Sequence, residues 1–180
     1  MRALSRVAGA GVGFVLLTAA APAGDLAMRL EGHYAHSFAN GLVSGEKYRS
    51  TDTMDVVRSG PDAAYLDIHL DFFNGHECNI SGVADAKDGG LVLKSGDDEI
   101  SQCTLTIAPG AGKDRGKLMF SADGTGCSYY CGARGSLDGA GFATAGRRPL
   151  RPVERAKIVG SDDYKAAFAA HKAGKPAPTS

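Results

Sequence analysis

Asp67, His69 and Asp71 alternate along the chain, so an extended backbone would set two carboxylates and an imidazole in a row on one face. Such a row holds groups suited to a metal ion or to acid–base work. No second segment offers an evident matching ligand set. The row is therefore expected to be the solvent face of a strand, with neither metal nor catalysis. His33 and His36, three residues apart, would lie on opposite faces of a strand and make poor joint ligands.

The cysteines are Cys78, Cys103, Cys127 and Cys131. Four cysteines allow three pairings. The favoured one joins Cys78 to Cys103, which sit in nearby predicted strands, and Cys127 to Cys131 in a small ring. A zinc site drawn from His76, Cys78, Cys127 and Cys131 lacks the usual finger or ribbon spacing. Arg134, three residues after Cys131, could lower a thiol pKa, but a cysteine held in a disulfide is no nucleophile. Gly110-Ala111-Gly112-Lys113 lacks the spacing of a phosphate loop and reads as a hairpin tip. Gly135-Ser136-Leu137-Asp138-Gly139 has leucine where a nucleophile elbow needs serine. No catalytic set, metal or cofactor is thus expected. Two surface features are better suited to binding: adjacent Tyr129 and Tyr130 between two cysteines, with Arg134 nearby, and a basic run of Arg134, Arg147, Arg148 and Arg151 that could meet an acidic partner or a polysaccharide. Rigidly held tyrosines lose little entropy on docking. The arginine run is expected to be mainly a solvated face.

The elements that must position these residues are mostly strands. Apolar residues alternate from Gly32 to about Ala122, most clearly where Leu66, Ile68, Leu70 and Phe72 face one way and Tyr65, Asp67, His69, Asp71 and Phe73 the other. Strands are expected over Tyr34–Phe38, Lys47–Val57, Ala64–Phe73, Glu77–Ala84, Gly90–Lys94, Gln102–Ile107 and Lys117–Ser121. The breaks between them, such as Asn74-Gly75 and Asp88-Gly89-Gly90, supply positive φ. About seven or eight strands on short connections predict an all-β antiparallel meander, closed as a lipocalin-like barrel or folded as a sandwich. Arg147 to Lys157, with Pro149 and Pro152, reads as an extended basic strap that completes a β domain over residues 24–160. Ser161, Asp162 and Asp163 open a short C-terminal helix over residues 161–174, with Tyr164, Ala167, Phe168 and His171 as its docking stripe. Residues 175–180 read as a disordered tail.

The chain has 180 residues, 20 Lys+Arg and 20 Asp+Glu, and this balance disfavours nucleic acid as a partner. Its 25 glycines are about twice the usual share and suit a turn-rich fold. Arg2 and Arg6 precede an uncharged run from Val7 to Ala20, and Ala21-Pro22-Ala23 follows with the pattern a signal peptidase accepts. Residues 1–23 are expected to be a cleaved export signal. That run of about 14 residues would span only about 21 Å as a helix, short of a hydrocarbon core of roughly 30 Å, so no stable membrane anchor is expected.

Phe72-Phe73-Asn74-Gly75-His76-Glu77-Cys78, Cys103-Thr104-Leu105, the stretch from Tyr130 to Gly139, and Arg147-Arg148-Pro149 resemble a group of small exported proteobacterial proteins of uncharacterised function. The resemblance covers most of the mature chain and implies a periplasmic or secreted location. It brings no catalytic residues with it. In size, export signal, β content and paired cysteines the chain is also similar in architecture to periplasmic lysozyme inhibitors, small β proteins that present loops to an enzyme cleft. None of their inhibitory motifs is present. The expected function is a non-enzymatic binding or inhibitor protein that presents Tyr129, Tyr130 and Arg134 to a protein partner. The alternative is a lipocalin-like carrier of a small apolar ligand.

Overall fold

The computed structural model describes residues 23–179. The expected export signal lies outside the described residues, save for Ala23 at the start of the first helix. That helix, α1 (Ala23–Leu30), buries Leu26, Ala27 and Leu30 on one side and packs on the sheet. Eight antiparallel strands follow in chain order: β1 (Gly32–Gly41), β2 (Lys47–Arg58), β3 (Ala63–Asp71), β4 (Glu77–Lys87), β5 (Gly90–Ser95), β6 (Cys103–Pro109), β7 (Lys117–Asp123) and β8 (Gly141–Ala143). Each pairs with its sequence neighbour, so the sheet is a meander curled into a nearly closed barrel.

The expected alternation is the basis of the core. Leu66, Ile68 and Leu70 of β3 face inward with Met54, Ile80, Leu93, Leu105, Ile107 and Phe120. Tyr34 and Phe142, with ring centroids 6.3 Å apart, bring β1 and β8 together across the interior. Positive φ falls at Asn74, Gly75, Asp88 and Gly89, where the turn sequences require it. Large side chains, among them Met54, Phe120 and Phe142, are buried in that interior.

Two seams interrupt the sheet, and segments from the C-terminal third cover both. Between β8 and β1, Arg148 pairs with His33 through two backbone hydrogen bonds of 2.8 and 3.0 Å. A Cβ on Gly32 would lie 2.7 Å from the Arg148 carbonyl oxygen, so this approach needs glycine. The second seam opens because β4 and β5 pair only from Ala84–Leu93 to Lys87–Gly90 and then part. The freed edge of β4 takes Cys131 opposite Cys78, while the edge of β5 takes Ala177.

The chain after β8 departs from expectation in two places. Only the start of the basic strap is extended, because Pro152 opens helix α2 (Pro152–Gly160). Proline restricts the residue before it, yet its missing N–H and fixed φ suit the first position of a helix. Glu154 accepts the Arg151 N–H at 2.8 Å and completes that helix start. The expected C-terminal helix is present as α3 (Asp162–Lys172), where Ser161 Oγ accepts the Tyr164 N–H at 3.1 Å. Its stripe covers the outer face of β3 and β4: Tyr164 meets Tyr65 edge-on at 5.0 Å, Ala167 is buried, and His171 reaches Asp85 at 2.8 Å. The residues after α3 are not a loose tail as far as Thr179. Ala177 is buried, gives its N–H to Lys94 and accepts the Gly96 N–H, so the open seam supplies the ordering contacts.

Candidate functional site

The disulfides are Cys78–Cys131 and Cys103–Cys127, which corrects the favoured pairing. The cause is the short 3-10 helix Thr125–Tyr130, two turns that aim Cys127 at β6 and release Cys131 in extended backbone toward β4. Cys78 and Cys103 are kept apart because β4 and β5 have already diverged. The segment around Tyr129 is therefore not a small ring. It is a loop fastened at both ends to different strands of the barrel.

That fastening gathers most of the unusual sequence stretches. The Gly132 N–H donates to the Glu77 carbonyl at 2.7 Å, directly beside the Cys78–Cys131 link. A Cβ on Gly132 would stand 2.9 Å from His76 Nδ1, and one on Gly135 would stand 2.7 Å from Cys78 Sγ. The glycines of Cys131-Gly132-Ala133-Arg134-Gly135 thus let this segment lie flat on the 72–78 turn. Arg134 ends over the Phe73 ring, 5.8 Å from its centroid, in cation–π geometry.

The three residues expected to bind a partner separate into two roles. Tyr129 is 56% exposed and Arg134 is on the surface. Tyr130 is only 8% exposed, and its hydroxyl donates to Ser95 Oγ at 2.9 Å. Burial raises its pKa, with the Ser95 hydrogen bond opposing. Tyr130 anchors the loop that displays Tyr129. Phe73, 46% exposed, belongs to the surface but was not singled out in the sequence. It heads an apolar groove with Phe38, Leu42 and Phe72, beside exposed Val43. Its placement in an extended run gave Phe73 an outward direction, but its meeting with Arg134 depends on the disulfide.

The basic run is largely neutralised within the fold. Arg148 and Arg151 both bind Glu154, Arg155 binds Glu31, and Arg147 donates to the carbonyls of Arg29 and Glu31. The two guanidiniums and the Arg151 N–H hold the Glu154 carboxyl far below the usual carboxylate range. His33 and His36 fall on opposite faces as expected. His33 Nδ1 lies 2.7 Å from Asp55, and His36 stacks on Phe38. Asp67, His69 and Asp71 do share the outer face of β3. The register sets Ser81, Asn79 and Glu77 of β4 directly opposite them, a match that the sequence did not display. Desolvation raises the Asp67 pKa, reinforced by the Asp55 and Asp163 carboxylates. Ser136 donates to the Asp138 carbonyl as a turn residue, and no cysteine is free.

No family model matches the chain, and neither a curated protein nor a solved structure matches it. The class is therefore defined by the fold itself: a disulfide-braced, mostly β barrel. Two disulfides point to a non-cytoplasmic, oxidising location. Among the described residues no helix is long and apolar enough to cross a membrane.

Proposed function

We propose that this is a non-enzymatic periplasmic or secreted binding protein, of the exported bacterial kind that its motifs resemble. It presents the loop carrying Tyr129 and Arg134 to a protein partner. The observation that carries this reading is the fastening of that loop by two disulfides, with Tyr129 projecting and Arg134 laid on exposed Phe73. The surface combines rigid aromatic area with a cation, the composition of binding hot spots.

A projecting tyrosine with a cation beside it suits an acidic cleft. Glycan-cleaving enzymes of the cell wall offer one, because they work with paired carboxylates. A muramidase is accordingly the first partner to test. Titration of a muramidase with the oxidised protein should give stoichiometric inhibition. Arg134→Ala and Tyr129→Ala should each weaken it on the order of 30-fold, about 2 kcal/mol. Equal inhibition by the double variant, or none by the wild type, would reject this surface as the inhibitory one.

A further inference from the structure

The outer face of β3 and β4 brings three ligand atoms together beside the Cys78–Cys131 link. His69 and Asp71 are neighbours on one face of β3, and Glu77 stands directly opposite Asp71 on β4. One ligand atom from each of the three lies within 4.8 Å of the others. His69 Nε2 is 3.5 Å from Asp71 Oδ1.

Groups outside the trio orient it. Asn79 Oδ1 lies 2.6 Å from His69 Nδ1, and as an acceptor there it takes the Nδ1 proton. In the neutral ring this leaves the Nε2 lone pair toward the carboxylates, the arrangement by which an outer partner fixes a metal-binding histidine. The Thr51 N–H donates to Asp71 Oδ2 at 3.2 Å and leaves Oδ1 toward His69. The backbone of Glu77 is held by the Gly132 N–H and the adjoining disulfide. Two carboxylates directly opposite across a strand pair repel. The lysine and arginine ion pairs described go instead to Asp114, Glu154, Glu31 and Asp162. Three acceptors therefore converge on a point where a cation would satisfy all of them.

We propose that His69, Asp71 and Glu77 form a surface site for a divalent first-row transition-metal ion, with zinc as the reference ion. One nitrogen and two carboxylate ligands suit such an ion. Bonds of ~2.1 Å would draw the three atoms to roughly 3.4 Å apart, a movement available to exposed Glu77. Solvent completes the coordination on the open side. The site is independent of the Tyr129 and Arg134 surface and stands or falls without it.

Calorimetric titration of zinc into untagged, chelator-stripped, oxidised full-length protein tests the proposal. One ion should bind per chain, with a dissociation constant on the order of micromolar. His69→Gln and Glu77→Gln should each weaken binding at least about 10-fold, and Asn79→Ala by about 10-fold through loss of ring orientation. His33→Gln should leave it unchanged. Absence of saturable binding, or wild-type affinity in His69→Gln, would overturn the site. Should a variant misfold, imidazole nitrogen NMR of the wild type decides instead. A zinc-dependent shift of His69 Nε2 supports the site, and a shift confined to other histidines overturns it.

Discussion

Ala177 lies against Gly82 so closely that a Cβ on the glycine would stand 2.5 Å from the alanine methyl. The contact places the end of the chain in the fork between β4 and β5, and it makes the tail part of the barrel wall. Ala177 exchanges two backbone hydrogen bonds with β5 and its following turn, and its carbonyl also accepts from Ser95 Oγ at 3.3 Å. Truncation after Gly174 removes these two bonds and the one from the Lys175 N–H to the Ala170 carbonyl, so it should cost about 3 kcal/mol, at roughly 1 kcal/mol for each lost backbone bond. Urea denaturation of full-length and truncated protein measures the loss. Gly82→Val should mimic truncation in hydrogen exchange at Gly96, whose N–H the tail protects.

The disulfides are nested, with Cys103–Cys127 closing a loop inside the one closed by Cys78–Cys131. Sequence separations of 24 and 53 correspond to about 3.5 and about 4 kcal/mol in the chain-entropy model. Paired Cys78→Ala and Cys131→Ala substitutions should cost at least as much stability as the Cys103 and Cys127 pair, and they alone should release Arg134 from Phe73. A proteolytic map of the oxidised protein should yield the 78–131 and 103–127 links. Recovery of a 127–131 link would remove the geometry on which the binding surface rests.

Much of this fold was legible because its signals are local. Alternation at Leu66, Ile68 and Leu70, positive φ at Asn74-Gly75, and the cap at Ser161 each depend on a few neighbouring residues. The disulfide pairing was not, since it depends on where β4 and β5 part. Pro152 satisfies both an extended strap and a helix start, and only the acceptor at Glu154 selects the latter. The candidate surfaces show the same division. Tyr129 and Arg134 stand out by residue type, but Phe73 beneath Arg134 and Glu77 opposite Asp71 are set by disulfide and register.

Glu154 sets an acid limit on the C-terminal helices. Its folded pKa is depressed, first by Arg148 and then by Arg151. Its contribution is thus complete above the ordinary carboxylate pKa and is lost as pH falls through the depressed value. Unfolding followed against pH should show stability declining below about pH 4.5. Glu154→Gln should flatten that decline, and circular dichroism should report fraying of α2 in the variant at neutral pH.

At the alkaline end two buried tyrosines act with the opposite sign. Tyr34 and Tyr65 are pushed up to about 12, in both cases chiefly by desolvation. The unfolded chain ionises near pH 10, so the folded state keeps the full contribution of these phenols below that pH and loses it as pH rises toward 12. Each should account for about 2 kcal/mol across that window. Tyr34 also donates to the Leu30 carbonyl at 2.8 Å, which ties the end of α1 to the barrel interior. Tyr34→Phe should cost about 1 kcal/mol at neutral pH for the lost bond. It should also remove the alkaline loss at this site, so the wild-type advantage of about 1 kcal/mol vanishes and then reverses as the pH climbs toward 12. Denaturant titrations at pH 8, 10 and 11.5 separate the two effects. A constant difference between wild type and variant across that range would show that Tyr34 ionises no later in the folded chain than in the unfolded one.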